Sequence, residues 1–273
     1  METQHHDYGS AHQEFQSAEE DGSCFPATQK VQSVLRVYSC LPWELRDYIH
    51  TYCVQGSLDN EVVVRHASGS KPAFLVRQSF STHSYQWIED PVFLHLSPGR
   101  IGPSVAREVL AAYYKTRTFK FAHRELGLLQ AFLETDRFGL GIRPADHVRH
   151  VDLQIQPSLY AQLHGFKSKD EEIAKCCRAL GALSVIQRSR TTVAVHVDLA
   201  EEFLGDEDHK SLIADAAEFV FQVAGVVNDL KLDGLRIDLI FEGEWDKANV
   251  LRMCNRSVTS LDDFTSQIKT ACI

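Results

Sequence analysis

Three short stretches of the 273-residue chain carry side chains suited to acid–base chemistry. They are Arg149-His150-Val151-Asp152-Leu153, Val195-His196-Val197-Asp198-Leu199 and Leu235-Arg236-Ile237-Asp238-Leu239. Each alternates apolar and polar residues, so strand geometry puts His150 with Asp152, His196 with Asp198, and Arg236 with Asp238 on one face. Valine, isoleucine and leucine then take the other face. A carboxylate beside an imidazole orients the ring and stabilises its charged form, which is the usual arrangement for a general acid or base. The stretches recur at intervals of about 40 to 46 residues, the length of one structural unit in many repeat proteins. If they pair in register, one row of the face carries His150, His196 and Arg236, and a second row carries Asp152, Asp198 and Asp238.

Three chemistries are open to such a face. It can act as an acid–base centre, it can recognise a polar partner segment, or it can be a solvated surface whose neighbouring charges contribute roughly 0.2–1 kcal/mol per cross-strand pair. No activated nucleophile accompanies it: there is no G-x-S-x-G motif, and Cys176-Cys177 falls in a helical pattern. Gly139-Leu140-Gly141 lacks the third glycine of a dinucleotide loop and follows a helix rather than a strand. No cofactor is implied. The seven cysteines include no C-x-x-C pair, and His5, His6 and His12 lie in a stretch without a defined ligand geometry, so no metal is implied either.

The elements that must position this face alternate along the chain. Glu61–Arg65 and Ala73–Arg77 read as two strands joined by a turn at Ser68-Gly69-Ser70-Lys71-Pro72, and 78–100 reads as irregular. A helix follows from Gly102-Pro103-Ser104, with Val105, Val109 and Tyr113 at four-residue spacing. Beyond it come a strand at Thr118–Ala122, a helix marked by Leu126, Leu129, Phe132 and Leu133, and a strand at Val148–Ile155. A helix at Glu171–Gln187, a strand at Thr192–Leu199, a long helix at His209–Leu230 and a strand at Leu235–Phe241 complete the series. Strands separated by helices imply a largely parallel sheet. Alternating rather than continuous apolar strands imply helices on one face only. The fold class is therefore α/β, with an α+β start.

One further helix precedes the strands. In Leu41-Pro42-Trp43-Glu44-Leu45-Arg46-Asp47-Tyr48-Ile49, continuing to Val54, the residues Leu41, Leu45, Ile49 and Cys53 recur every fourth position and predict a buried apolar stripe. Pro42 suits a first helical position, and Gly56 suits a left-handed cap. The pattern Leu-Pro-x-Glu-Leu-Arg-x-x-Ile resembles the opening helix of the F-box-like proteins of filamentous fungi. Pro91-Val92-Phe93-Leu94-His95-Leu96, Arg107-Glu108, the pair Tyr113-Tyr114 and Arg117-Thr118-Phe119 fit the same pattern, so the likeness runs from about residue 38 to 155. It implies an intracellular protein-interaction module, a substrate receptor that meets the Skp adaptor of cullin–RING ubiquitin ligases through Leu41, Pro42, Trp43, Leu45 and Ile49. In the family two more helices follow; here Gly56 is followed by Asp59-Asn60-Glu61 and the strand-like Val62-Val63-Val64.

Composition sets outer bounds. Lys+Arg 28 against Asp+Glu 37 gives a net charge of −9, which repels a phosphate backbone, so nucleic acid is not an expected partner. No apolar run reaches the length of a membrane helix, and no secretory signal is evident, so a cytoplasmic or nuclear protein is expected. Residues 1–30 are polar and aperiodic and read as a disordered tail. Residues 31–273 read as one F-box-like α/β domain, a helical and hairpin part over 31–122 and a β-α repeat part over 123–273. Two functions remain open: the interaction module, and an enzyme of small-molecule (secondary) metabolism that uses His150, Asp152, His196, Asp198, Arg236 and Asp238.

Overall fold

Seven strands pair into one sheet. The structure is a computed structural model and describes residues 37–38, 40–55, 60–66, 72–81, 84–96, 101–156, 168–186, 190–198 and 209–242. The expected tail at 1–30, with His5, His6 and His12, lies outside the described residues. The chain divides into two compact units, Met1–Trp43 and Glu44–Ile273, and the sheet belongs to the second.

The strands are β1 (Glu61–His66), β2 (Pro72–Ser81), β3 (Ser84–Glu89), β4 (Thr118–Phe121), β5 (His150–Ile155), β6 (Thr192–Asp198) and β7 (Arg236–Glu242). Their order across the sheet is β3-β2-β1-β4-β5-β6-β7. The steps from β1 through β4, β5 and β6 to β7 are all parallel. The β1–β2–β3 edge is antiparallel. The expected α/β class, its hairpin start and its parallel repeat part are thus all present. The segment 78–100, expected to be irregular, instead contains the end of β2 and all of β3.

The helices are α1 (Trp43–Gln55), α2 (Val92–His95), α3 (Pro103–Thr116), α4 (Leu129–Glu134), α5 (Pro144–His147), α6 (Lys169–Gly181) and α7 (His209–Leu232), with 3-10 turns at His123–Leu128 and Ala182–Val185. Local chemistry sets several ends. Ser168 caps α6 by accepting the Glu171 N–H at 3.2 Å, and Asp170, Glu171 and Glu172 sit at the positive end of its dipole. After α7, Gly234 adopts a φ of 91°, its N–H reaching the Lys231 carbonyl and that of Leu235 the Leu230 carbonyl. This is a Schellman ending, and the buried pair Leu230 and Leu235 completes it as the chain turns into β7.

One face of the sheet is covered. Val62, Val64, Phe119, Phe121, Val151, Leu153, Ile155, Val193, Val195 and Val197 are buried at alternate positions, and they share a core with Leu110, Tyr113, Leu180, Phe219 and Val223 from the helices. The residues between them on each strand are exposed or partly buried. Phe93, Tyr113, Phe119 and Phe132 are the aromatic centre of this core. Phe93 lies 4.9 Å from Tyr113, Tyr113 lies 5.8 Å from Phe119, and Phe119 lies 4.9 Å from Phe132, as ring centroids.

A polar knot is buried beside that cluster. Arg117 and Asp90 are both shut off from solvent, with the guanidinium 3.8 Å from Asp90 Oδ2. Tyr113 donates its hydroxyl to the same oxygen at 3.0 Å, and the Val92 N–H donates to Asp90 Oδ1 at 3.0 Å. Arg117 also donates to the Val54 carbonyl at 2.7 Å, in the last turn of α1. A helix terminus leaves its last carbonyls without intrahelical donors, and α1 has no basic residue of its own there. Burial, and then the Asp90 charge, push the Tyr113 hydroxyl well above its ordinary range, so it remains a donor.

Two outcomes test this arrangement. Arg117→Met should cost about 3–5 kcal/mol in urea unfolding, because it leaves the Asp90 carboxylate buried without its cation. Val197→Asp should prevent folding, whereas His196→Ala, one residue away on the other face, should cost about 1 kcal/mol or less. Equal losses for the latter two would overturn the assignment of faces.

Candidate functional site

The face of the sheet opposite the core holds all six residues predicted from the repeat. His150, Asp152, His196, Asp198, Arg236 and Asp238 occupy the positions that alternate with the core residues. Their predicted rows form only in part: the β5 and β7 members share register, and the β6 members His196 and Asp198 do not join them. His150 pairs with Thr192, which pairs with Arg236; Asp152 pairs with Ala194, which pairs with Asp238. His196 lies four residues further along β6, opposite Gln154 and Ile240, and Asp198 lies opposite Glu242. An even-numbered shift leaves every side chain on its face, which is why the parity survives while the β6 members leave the rows.

The resulting contacts differ from those expected. Asp152, not Asp198, is the carboxylate beside His196, with Nε2 3.6 Å from Asp152 Oδ1. On its other side Lys120 of β4 stands 3.6 Å from Asp152 Oδ2 and 2.7 Å from Glu61 Oε1. Glu61, Lys120, Asp152 and His196 therefore form an ionic ladder across β1, β4, β5 and β6. Asp198 instead accepts from Gln156 Nε2 at 2.9 Å. The Lys120 ammonium is held above its ordinary range: burial works against this, but the hydrogen bond to Glu61 and the Asp152 charge outweigh it. It is a fixed cation, not a proton donor near neutral pH.

What this ladder can do chemically is limited by its neighbours. A carboxylate 3.6 Å from an imidazole is beyond hydrogen-bond length. The cysteine pair supplies no thiolate, because burial pushes Cys176 up to about 12 and raises Cys177 as well. Among the described residues no group of three or more histidine, cysteine, aspartate or glutamate side chains could hold a metal ion.

The second predicted site is α1, and here the sequence reading requires correction. Leu45 is 51% exposed, Tyr48 72%, Ile49 40% and Tyr52 75%, and Cys53 is exposed too. The stripe expected to be buried faces outward. The side turned towards the protein is mostly polar: Arg46 pairs with Glu108 at 2.8 Å, His50 Nε2 lies 3.4 Å from Glu108 Oε2, and Asp47 accepts from Lys115 at 3.1 Å. Val54 and His50 are the buried residues of the helix. Pro42 is exposed, Leu41 is partly buried, and Trp43 is 64% exposed at the first position of α1.

Two groups at these sites were not singled out from the sequence: the Lys120–Glu61 half of the ladder, and Arg117, Arg149 and Arg190 at the starts of the parallel strands. The last had a visible signal, since Arg117, Arg149, Arg190 and Arg236 each stand within two residues of the first residue of a strand. Among the described residues no helix is long and apolar enough to cross a membrane. Comparison with protein-family models, with curated proteins and with solved structures found no match.

The histidines that anchor these elements give a pH signature. Burial holds His50 below its ordinary value, with the Glu108 hydrogen bond opposing. Burial likewise lowers His147, opposed by Asp146 and aided by Lys115 and Arg149. The unfolded chain, with histidines near 6.5, then binds more protons than the folded one as pH drops below that value. Stability should be full above about pH 6.5 and decline as the pH falls towards the folded pKa values. Denaturant midpoints taken between about pH 7.5 and 5.5 measure it, and His50→Gln should flatten the slope. An unchanged slope in that variant would remove His50 as a cause.

Proposed function

We propose that this chain is a protein-interaction module that docks a partner on the outward apolar face of α1. One observation carries the reading. Leu45, Tyr48, Ile49 and Tyr52 form a continuous stripe at helical spacing on a helix fixed by its other side, through Arg46, Asp47, His50 and Val54. Scattered single apolar residues on a surface are ordinary, but a contiguous stripe of four, two of them tyrosine, has the composition of a contact face. An amphipathic helix presented this way is recognised by a partner groove at positions i, i+3, i+4 and i+7.

The likeness of residues 41–53 to fungal F-box-like proteins supplies a candidate for that partner, the Skp adaptor, with Leu41, Pro42 and Trp43 joining Leu45 and Ile49 in the contact. On this reading the chain is a substrate receptor of a cullin–RING ubiquitin ligase, at work in the cytoplasm or nucleus. A second reading, an acid–base enzyme of small-molecule metabolism, is favoured by the placement of Asp152 between Lys120 and His196.

Capture of purified Skp adaptor by the full chain is the test. Trp43→Ala and Leu45→Ser should each weaken capture by about tenfold or more without lowering the thermal midpoint, as loss of a central contact residue does. His196→Ala should leave capture unchanged. Failure of the wild-type chain to capture the adaptor would end the ligase reading, and undiminished capture by both α1 variants would move the contact elsewhere.

A further inference from the structure

The amino-terminal edge of the parallel sheet carries a second surface, opposite in chemistry to the α1 stripe. Arg149 immediately precedes β5, Arg190 stands just before β6, and Arg236 opens β7. The strand register places His150, Thr192 and Arg236 side by side. Two bonds pin the first two arginines together: the Thr192 N–H donates to the Arg149 carbonyl at 2.8 Å, and the buried Thr191 hydroxyl donates to the Val148 carbonyl at 2.7 Å. Among the described residues, none of Arg149, His150, Arg190 and Arg236 has an acidic side chain within ion-pairing distance. The two acidic residues three positions either side of Arg149 are engaged elsewhere, Asp146 by Arg143 at 3.1 Å and Asp152 by Lys120 at 3.6 Å.

We propose that this edge binds an acidic polypeptide segment through Arg149, His150, Arg190 and Arg236. Like charges held adjacent on fixed strand ends, in a protein of net charge −9, are an unfavourable arrangement that a bound anion relieves. Burial, and then the neighbouring Arg190, hold the Arg149 guanidinium below its ordinary value. The cations are spread over three neighbouring strands, a span of roughly 10 Å at about 4.8 Å per strand. That spacing suits a series of carboxylates along an extended chain rather than one small anion gripped at a point. Arginine also fits carboxylates with two parallel hydrogen bonds, which lysine does not. Deeper on the same face the next row brings Asp152 and Asp238, which repel the segment and confine it to the edge.

The experiment is a fluorescence-anisotropy titration of the full chain with a fluorescein-labelled peptide of alternating glutamate and serine. The controls are the matching glutamine–serine peptide and a single-stranded oligothymidylate. The glutamate peptide should bind saturably at low ionic strength and weaken as salt rises. Arg149→Gln, Arg190→Gln and Arg236→Gln should each reduce affinity about threefold, and the triple variant more than tenfold. All three side chains are partly or fully exposed, and a circular-dichroism melt confirms that the variants fold. Leu45→Ser on α1 should not change the titration, which separates this edge from the adaptor contact. No saturable binding, equal binding of the glutamine peptide, or undiminished binding by the triple variant would each overturn the proposal. Tighter binding of the oligothymidylate would overturn it in favour of a nucleic acid.

Discussion

A fully buried guanidinium facing a fully buried carboxylate is the constraint on which the rest of this unit depends. Moving two charges out of water costs several kcal/mol per ion, and attraction between them repays that only when their other hydrogen-bonding groups are met. Asp90 has the Tyr113 hydroxyl and the Val92 N–H, and Arg117 has the Val54 carbonyl. The groups come from the last turn of α1 (Val54), the segment from Asp90 into α2 (Val92), and the C-terminal end of α3 (Tyr113 and its cap Arg117). Satisfying the charges therefore brings these three parts of the chain to one point, beside the aromatic cluster of Phe93, Tyr113 and Phe119.

The same junction explains the orientation of α1. With its last turn held by Arg117, the helix meets α3 through Glu108 and Lys115, and these select Arg46, His50 and Asp47 as the inner side. Ion pairs that are half exposed stabilise little by themselves. Here their effect is directional: pairing them turns Leu45, Tyr48, Ile49 and Tyr52 to solvent. A free chain loses the burial of those side chains, and a partner that covers them recovers it. That asymmetry is the physical basis for reading α1 as a docking element.

The open face of the sheet is organised by register rather than by the sequence repeat. Its amino-terminal row holds His150 and Arg236, its next row holds Asp152 and Asp238, and the ladder Glu61–Lys120–Asp152–His196 runs across four strands. The step from the first row to the acidic second row is the one the aligned repeats imply for β5 and β7, and only β6 departs from it, with Thr192 and Ala194 where the repeat puts His196 and Asp198.

The sequence by itself determined the parallel strands, the helices between them and the faces of those strands, but not β3. Period-two alternation in Val151, Leu153 and Ile155, in Val193, Val195 and Val197, and in Ile237 and Leu239 could be satisfied only with those residues inside, because burial of apolar side chains dominates strand orientation. The helix–strand alternation likewise determined a parallel sheet covered on one side. Tertiary structure alone decided three things. Register between β5 and β6 is set by how the helices pack and by the bond from Thr192 to Arg149, so the resemblance of two strands to each other carried no information about which residues pair. The outward turn of α1 depends on Glu108 and Lys115, some 60 residues away, against which a local apolar stripe has no say. The buried role of Arg117 and Asp90 could not be read either, since charged residues are almost never fully buried unless paired, and the pairing exists only once the fold has formed.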